Sequence, residues 1–264
     1  MTASRVPICW LLSMTRSGSS AAAYASSHAL GALVLDEPFG PWDRTAPPYR
    51  YPNAQPELHR RHLAAGEILS AETSEHLDRL IEMIIRRQAD RPSAVIIKVP
   101  HSMIDPRDIA RLRPDDRIVY MLRNPLERLN SLYTRGWQAT ILTPHDLETF
   151  RQFAHRWIAA PPEARLTFDA LIATPRMFFR ACWDAWELPW TEARVEDAVR
   201  YRAQEYHESS AIVQRGRNPH RVLSRHRKDV PIAAVHAYLR DPVALAFFAR
   251  FGWSTAPSAY SGHR

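Results

Sequence analysis

The sequence predicts an α/β fold in which helices flank a mostly parallel sheet. Short continuous apolar runs recur along the chain, as expected for strands that are buried on both faces. Segments with helical periodicity, or with a proline at a helix start, lie between these runs. Strands that alternate with helices are typical of a parallel sheet, and a length of 264 residues suits one domain spanning residues 1–264.

Five apolar runs are each expected to form one strand of the sheet. The first run covers residues 6–12 and ends at a cluster of Ser, Thr and Gly. The other runs cover residues 32–35, 94–99, 117–122 and 165–168. The third and fourth runs each lead into a polar turn and a helix that starts at proline, which is favoured in the first helical turn.

The segments between the runs predict helices. Residues 19–30 are rich in alanine, and apolar residues between 77 and 85 recur at helical spacing, with Ser74 as the predicted N-cap. A further helix is expected over residues 175–186. The C-terminal part is expected to be helical except for a basic stretch at 215–221.

The composition excludes several classes of protein. A hydrophobic share of 45%, with 8 Trp, 9 Tyr and 9 Phe, excludes a disordered chain. The two cysteines, Cys9 and Cys182, lie in apolar runs and predict neither a disulfide framework nor a cysteine-based zinc site. The histidines show no metal-ligand spacing, so no metal is expected.

The N-terminal region imitates a secretory signal, because an apolar stretch follows Arg5 and small residues follow at 21–25. Arg16 and Gly18 fall between those two parts and break the pattern. No other apolar run approaches the ~20 residues that span a bilayer. We therefore expect a cytoplasmic protein without stable membrane insertion.

The basic residues behind the formal net charge of +7 are almost all arginines. Only Lys98 and Lys228 are lysines, so the other 33 of the 35 basic residues are arginines spread along the chain. Guanidinium groups suit phosphate oxygens, which they can bind through two hydrogen bonds. A small anionic ligand is thus as compatible with the charge as a nucleic acid.

The strongest local signal is the loop between the first strand and the first helix, which runs from Ser13 to Ser20. Backbone N–H groups, the positive end of a helix, hydroxyls and the guanidinium of Arg16 would converge there, which predicts a phosphate or sulfate cradle. Gly18 supports this, because the chain has only 8 glycines. The loop lacks the G-x-x-x-x-G-K-[ST] pattern and its lysine. The alternative interpretation is an ordinary strand-to-helix turn.

Two motifs resemble those of the sulfotransferases that use 3′-phosphoadenosine 5′-phosphosulfate (PAPS). Thr15–Ser20 is similar to the family's 5′-phosphosulfate loop, with Thr in place of Pro. The family's second motif is an arginine at a strand end, a proline-containing turn, and a serine eight residues after the arginine. Arg123 and Ser131 have this spacing, with Asn124 where Asp is frequent. The family's glycine-rich C-terminal loop has no clean counterpart beside the basic stretch at 215–221.

The resemblance implies a P-loop kinase-like sulfotransferase fold, PAPS as cofactor, and the 3′,5′-bisphosphate PAP as product. Arg16 would neutralise the 5′-phosphate oxygens, and Arg123 with Ser131 would bind the 3′-phosphate. The other implied 5′-phosphate ligands are Ser17, Gly18, Ser19 and Ser20. An Arg123 that simply pairs with Glu127 is the alternative interpretation of the second motif.

Two residues are candidates for the general base. Glu37 follows the second strand, and Asp36–Phe39 is similar to a Glu-Pro segment of carbohydrate-type and some bacterial members, in which the Glu is the proposed base. His101 follows the third strand, as a catalytic His does in cytosolic members, but two residues rather than one separate it from Lys98. We expect Glu37 to be the base, with His101 as the alternative.

The expected function is transfer of a sulfuryl group from PAPS to an acceptor hydroxyl, with a carbohydrate as the predicted acceptor. The proline-rich, aromatic segment 38–56 is expected to contact this acceptor. A small-molecule kinase of the P-loop type is one alternative, although the loop lysine is missing. A non-enzymatic nucleic-acid-binding module is the other, although the arginines do not cluster with aromatic residues. No nucleic-acid partner is expected, and the oligomeric state stays open.

Overall fold

Five parallel strands form the centre of the fold, in the spatial order β2-β3-β1-β4-β5. The computed structural model describes residues 6–36, 69–86, 88, 90–100, 104–134, 143–201 and 230–261. The strands are β1 (Ile8–Ser13), β2 (Leu33–Asp36), β3 (Val95–Pro100), β4 (Arg117–Leu122) and β5 (Arg165–Thr167). The predicted α/β class with a parallel sheet is therefore confirmed.

Helices connect the strands and continue after the sheet. They are α1 (Ser19–Leu30), α2 (Ala71–Ile85), α3 (Pro106–Leu112), α4 (Pro125–Thr134), α5 (Thr143–Ala159), α6 (Phe168–Ala173), α7 (Pro175–Ala185), α8 (192–201), α9 (Ile232–Arg240) and α10 (Pro242–Phe251). Short 3₁₀ turns cover Pro162–Ala164 and Pro257–Ala259. Among the helices in the described ranges, none is long and apolar enough to cross a membrane alone; α9 and α10 reach the length only together and are bent by 87°.

The side chains of each strand alternate between two apolar cores. On one face, Trp10 and Leu12 of β1 lie in a buried cluster with residues of α2, α3, α4, α5, α9 and α10. On the other face, Cys9 and Leu11 lie in a cluster with residues of α1, α6, α7 and α8. The sheet is therefore covered on both faces, which explains why its strands are continuous apolar runs in the sequence.

The structure corrects one predicted helix start. Helix α2 begins at Ala71, and its N-cap is Ser70 rather than Ser74. Ser70 Oγ accepts a hydrogen bond from the Thr73 N–H (3.1 Å), and Thr73 Oγ1 accepts one from the Ser70 N–H (2.9 Å). This reciprocal capping box satisfies two backbone donors. Ser74 is buried inside the first turn, where its Oγ accepts a hydrogen bond from Arg113 (3.1 Å).

Other boundaries follow the sequence closely. Helices α3, α4 and α7 begin at proline, as predicted. Strand β5 ends at Thr167, one residue earlier than expected, because Thr167 Oγ1 accepts a hydrogen bond from the Ala170 N–H (3.1 Å) and caps α6. The predicted acceptor segment 38–56 and the basic stretch 215–221 lie outside the described residues.

The strand order predicts a crevice at the carboxyl edge of the sheet. Strands β1 and β4 are neighbours, with Ser13 beside Met121. The chain leaves β1 into α1 on one face of the sheet and leaves β4 into α4 on the other face. Open parallel sheets bind ligands where neighbouring strands send their connections to opposite faces. The loops 14–18 and 123–124 border this crevice.

Candidate functional site

The loop after β1 makes a tight turn with two residues in the left-handed region. Arg16 has φ 69° and Gly18 has φ 82°. The Ser17 N–H closes the turn by donating to the Met14 carbonyl (3.2 Å). A positive φ at a residue other than glycine costs on the order of 1–2 kcal/mol, so contacts around Arg16 must hold it there. Strained turns with converging N–H groups are one form of anion-binding loop.

Gly18 is required by packing as well as by its backbone angle. A Cβ atom at this position would lie 2.5 Å from Cδ2 of the Phe168 ring, which is too close for any side chain. Phe168 is 5% exposed and starts α6. The backbone of the loop therefore lies directly on an aromatic ring, and only glycine allows this close approach.

The amino end of α1 is open in the sense that the N-cap residue Gly18 provides no side-chain cap. No described side chain accepts a hydrogen bond from its first N–H groups, whereas Ser70 and Asp241 cap α2 and α10 in that way. The Ser17 hydroxyl is buried, and its Oγ has no hydrogen-bond partner among the described residues. A buried hydroxyl normally has a partner, so this atom fits a site that an anion completes.

Two neighbouring serines, Ser13 and Ser19, are held in place by a hydrogen bond between their side chains. Ser13 Oγ donates to Ser19 Oγ (2.8 Å), and both residues are buried. The Ser19 hydroxyl therefore keeps its own hydrogen for a further acceptor. Ser20 follows in the first turn of α1 and is half-buried.

Arg123, which directly follows β4, contacts the same loop. Its Nη1 donates to the Arg16 carbonyl (3.0 Å), and its guanidinium carbon lies 4.1 Å from the centre of the Phe168 ring. The alternative pairing with Glu127 also exists, but Nε and Oε2 are 3.9 Å apart, at the long limit of an ion pair. Arg123 is thus part of the crevice rather than of a separate surface pair.

The two sequence motifs meet in space. Arg16 Nε donates to Ser131 Oγ (3.4 Å), although the residues are 115 positions apart. The predicted residues of both motifs therefore surround one crevice; they are Arg16, Ser17, Gly18, Ser19, Ser20, Arg123 and Ser131. Two guanidinium groups, four serine hydroxyls and an open helix end can hold an anion with more than one charged group.

Asn124 occupies a position at which PAPS-dependent sulfotransferases, the family that the motif resembles, often have Asp. Both the oxygen and the nitrogen of its side-chain amide form hydrogen bonds. Its Oδ1 accepts hydrogen bonds from the N–H groups of Leu126 (3.0 Å) and Glu127 (3.3 Å), which caps α4. Its Nδ2 donates to the Tyr260 hydroxyl (3.1 Å), which itself donates to the Ser254 carbonyl (2.9 Å). An aspartate could make the first pair of bonds but could not donate to Tyr260.

The neighbouring strand ends carry a buried ion pair. Lys98 Nζ lies 3.0 Å from Asp36 Oδ1, and the Tyr24 hydroxyl donates to Asp36 Oδ2 (3.3 Å). The residues predicted as bases, Glu37 and His101, directly follow β2 and β3 and lie outside the described residues. Within the described ranges, no group of three or more His, Cys, Asp or Glu side chains could hold a metal ion.

The sequence interpretation missed Arg128, which supports the loop from behind. Arg128 is 2% exposed, and its Nη1 reaches the Thr15 carbonyl (3.5 Å). Burial alone would lower the pKa of Arg128, but the Asp146 carboxylate outweighs it and the pKa is raised. One signal was available: Arg128 lies one turn after Asn124 and one turn before Leu132, on the buried side of α4.

Comparisons with known proteins find similar chains among the solved structures. No protein-family model matches the chain, and no curated protein matches it. The solved structure of a sulfotransferase from Alicyclobacillus acidocaldarius is similar over 81% of this chain and 98% of its own, with a TM-score of 0.43 and 14% sequence identity. What this site binds is therefore argued from its own residues.

Proposed function

We propose that this chain is a PAPS-dependent sulfotransferase that transfers a sulfuryl group to an acceptor hydroxyl. One observation carries the proposal: Arg16 and the open end of α1 share a crevice with Arg123 and Ser131. A nucleotide with two separate phosphate-type groups would use both halves. The Ser17 hydroxyl, which has no hydrogen-bond partner among the described residues, fits such a ligand.

Each half of the crevice takes one end of the nucleotide in this proposal. Ser17, Gly18, Ser19 and Ser20 hold the 5′-phosphate through N–H groups and hydroxyls. Arg123 and Ser131 hold the 3′-phosphate. Charge-assisted hydrogen bonds of this kind contribute about 1.5–3 kcal/mol each, so several are enough for specific recognition.

When bound, PAPS supplies the sulfuryl group, and the chain supplies orientation and charge. Arg16 neutralises the negative charge that grows on the 5′-phosphate oxygens as PAP leaves. The N–H groups at the start of α1 add a fixed positive dipole at the same point. Catalysis by positioned charge resembles phosphoryl transfer, in which the protein forms no covalent intermediate of its own.

Glu37 is the proposed general base that removes the acceptor proton. Its neighbour Asp36 is unsuitable, because that carboxylate is already engaged by Lys98 and Tyr24. Glu37 follows β2 at the carboxyl edge of the sheet, the edge that also carries the loop after β1. We propose a carbohydrate as the acceptor, and His101 is the rival base.

Thermal shift with a panel of ligands tests the proposed class of function. PAP is expected to raise the unfolding temperature, because a ligand that binds only the folded state stabilises it. Mg-ATP and a duplex oligonucleotide at the same ionic strength are expected to raise it less. A larger rise with Mg-ATP would favour a kinase, and a rise with the duplex alone would favour a nucleic-acid-binding module. Either result would overturn the proposal.

A further inference from the structure

We propose that Arg128 is a positioning residue. It holds the loop after β1, residues 14–18, in its binding conformation before any ligand arrives. The described hydrogen bonds and ion pairs of the Arg128 side chain are with the Thr15 carbonyl and Asp146, and none is with a side chain of the two motifs. Arg128 acts through the backbone of Thr15, the residue before Arg16. The inference rests on the proposed function for the identity of the ligand, but its structural part concerns the loop alone.

Two guanidinium groups hold two successive carbonyls of the loop. Arg128 Nη1 reaches the Thr15 carbonyl (3.5 Å), and Arg123 Nη1 donates to the Arg16 carbonyl (3.0 Å). In a trans peptide the C=O and the next N–H point in opposite directions, so fixing a carbonyl also fixes the following N–H. Together the two arginines orient the peptide groups on both sides of Arg16, whose φ of 69° is strained.

A buried relay holds Arg128 itself in place. Its Nη2 forms an ion pair with Asp146 of α5, and the Tyr238 hydroxyl of α9 donates to Asp146 Oδ2 (2.6 Å). Asp146 comes from the next helix and Tyr238 from a helix 92 residues further on, and together they set the direction of the guanidinium. A charge this deeply buried is costly unless it is paired, so the relay keeps Arg128 both ionised and fixed.

Isothermal titration of the Arg128→Lys variant tests this role. Lysine keeps the charge for Asp146 but cannot reach two acceptors in the fixed geometry of a guanidinium. We expect the affinities for PAP and AMP to fall by the same factor, about tenfold, because only the 5′-phosphate loop is disturbed. The preference for PAP over AMP should then stay at the wild-type value. The milder variant Tyr238→Phe leaves no unpaired charge. It should lower the affinities for PAP and AMP by about threefold each.

Arg113→Lys is the matched control for lost stability. Arg113 is as deeply buried as Arg128 and pairs with Asp78 (2.8 Å) and Asp116 (2.5 Å) at the amino edge of the sheet, away from the crevice. Its replacement should lower the unfolding temperature without changing either affinity. An equal loss of affinity in Arg113→Lys would overturn the proposal, because the effect would then be general destabilisation.

Amide hydrogen exchange without ligand separates this inference from the proposed function. Peptides covering residues 13–20 should exchange faster in Arg128→Lys than in Arg113→Lys. If the wild type binds neither PAP nor AMP, the proposed function fails, while faster exchange still supports the positioning role. Unchanged exchange, or a loss of affinity for PAP alone, would overturn the role of Arg128.

Discussion

Position 18 shows how one residue can be fixed by two independent requirements. Its φ of 82° strains any residue with a side chain, and the Phe168 ring fills the space where a Cβ would be. Gly31 provides a natural comparison, since its φ is 67° and no atom of the described residues lies within 4 Å of the position that a Cβ would take. The two glycines share the backbone requirement, and only Gly18 has the packing requirement.

Gly18→Ala is therefore expected to cost more stability than Gly31→Ala. Strain alone should reduce the free energy of unfolding by about 1 kcal/mol in each variant. The contact with Phe168 should add about 1–3 kcal/mol in Gly18→Ala, because the buried ring must shift to make room for the Cβ atom. Urea unfolding of both variants measures the difference. Equal losses would mean that the loop does not rest on the Phe168 ring.

At the scale of elements, the sequence could predict the strands and the helix starts that depend on a local pattern of residues. The apolar runs and the prolines at helix starts located all five strands and helices α3, α4 and α7. The start of α2 was misplaced, because its apolar periodicity begins at Leu77 while the cap at Ser70 depends on a polar side-chain pair. The N-cap of α3 shows a further limit: Asp105 also pairs with Arg156 of α5 (3.2 Å), a contact that no local pattern encodes.

Asp105 gives a prediction for the dependence of stability on pH. Hydrogen bonds from the Arg107 side chain, and to a lesser extent the Arg107 N–H and the charge of Arg156, outweigh burial and hold the pKa of this carboxyl below its ordinary 3.8. A pKa that is lower in the folded state stabilises the fold above the ordinary value, and this stabilisation is lost as pH falls through the folded pKa.

Asp105→Asn should therefore lose less stability than the wild type between about pH 5 and pH 2. Asparagine keeps the capping oxygen but cannot titrate. Urea unfolding at a series of pH values gives both curves. Curves that stay parallel over this range would show that Asp105 contributes nothing to the acid sensitivity.

At the scale of the whole molecule, the crevice is assembled from segments more than a hundred residues apart. The sequence places Arg16, Arg123 and Ser131 in two motifs with a characteristic spacing, and the fold brings these motifs into contact. The sequence could not predict the support from Phe168 and Arg128, because those contacts exist only once the sheet, α4 and α6 are packed. The order of the strands bears on the choice between the two proposed bases, since β3 lies between β2 and β1.

Glu37→Gln and His101→Ala test which strand end supplies the base. A general base contributes typically 10²–10⁴ in rate, so Glu37→Gln should lower kcat by about that factor and leave the affinity for PAP unchanged. His101→Ala should lower kcat less. Sulfate transfer from PAPS to a carbohydrate acceptor measures both. The reverse order would assign the base to the end of β3, the strand next to β1.

The central claim is that one crevice binds both ends of the nucleotide. The ratio of the affinities for PAP and AMP tests this claim. Isothermal titration of the wild type should show PAP binding at least about tenfold more tightly, because contacts to the 3′-phosphate contribute about 1.5–3 kcal/mol each. Arg123→Ala should abolish most of this preference. Arg176→Ala, which removes an exposed arginine paired with Glu196, should keep it. Equal affinity of the wild type for PAP and AMP at matched salt would contradict the claim.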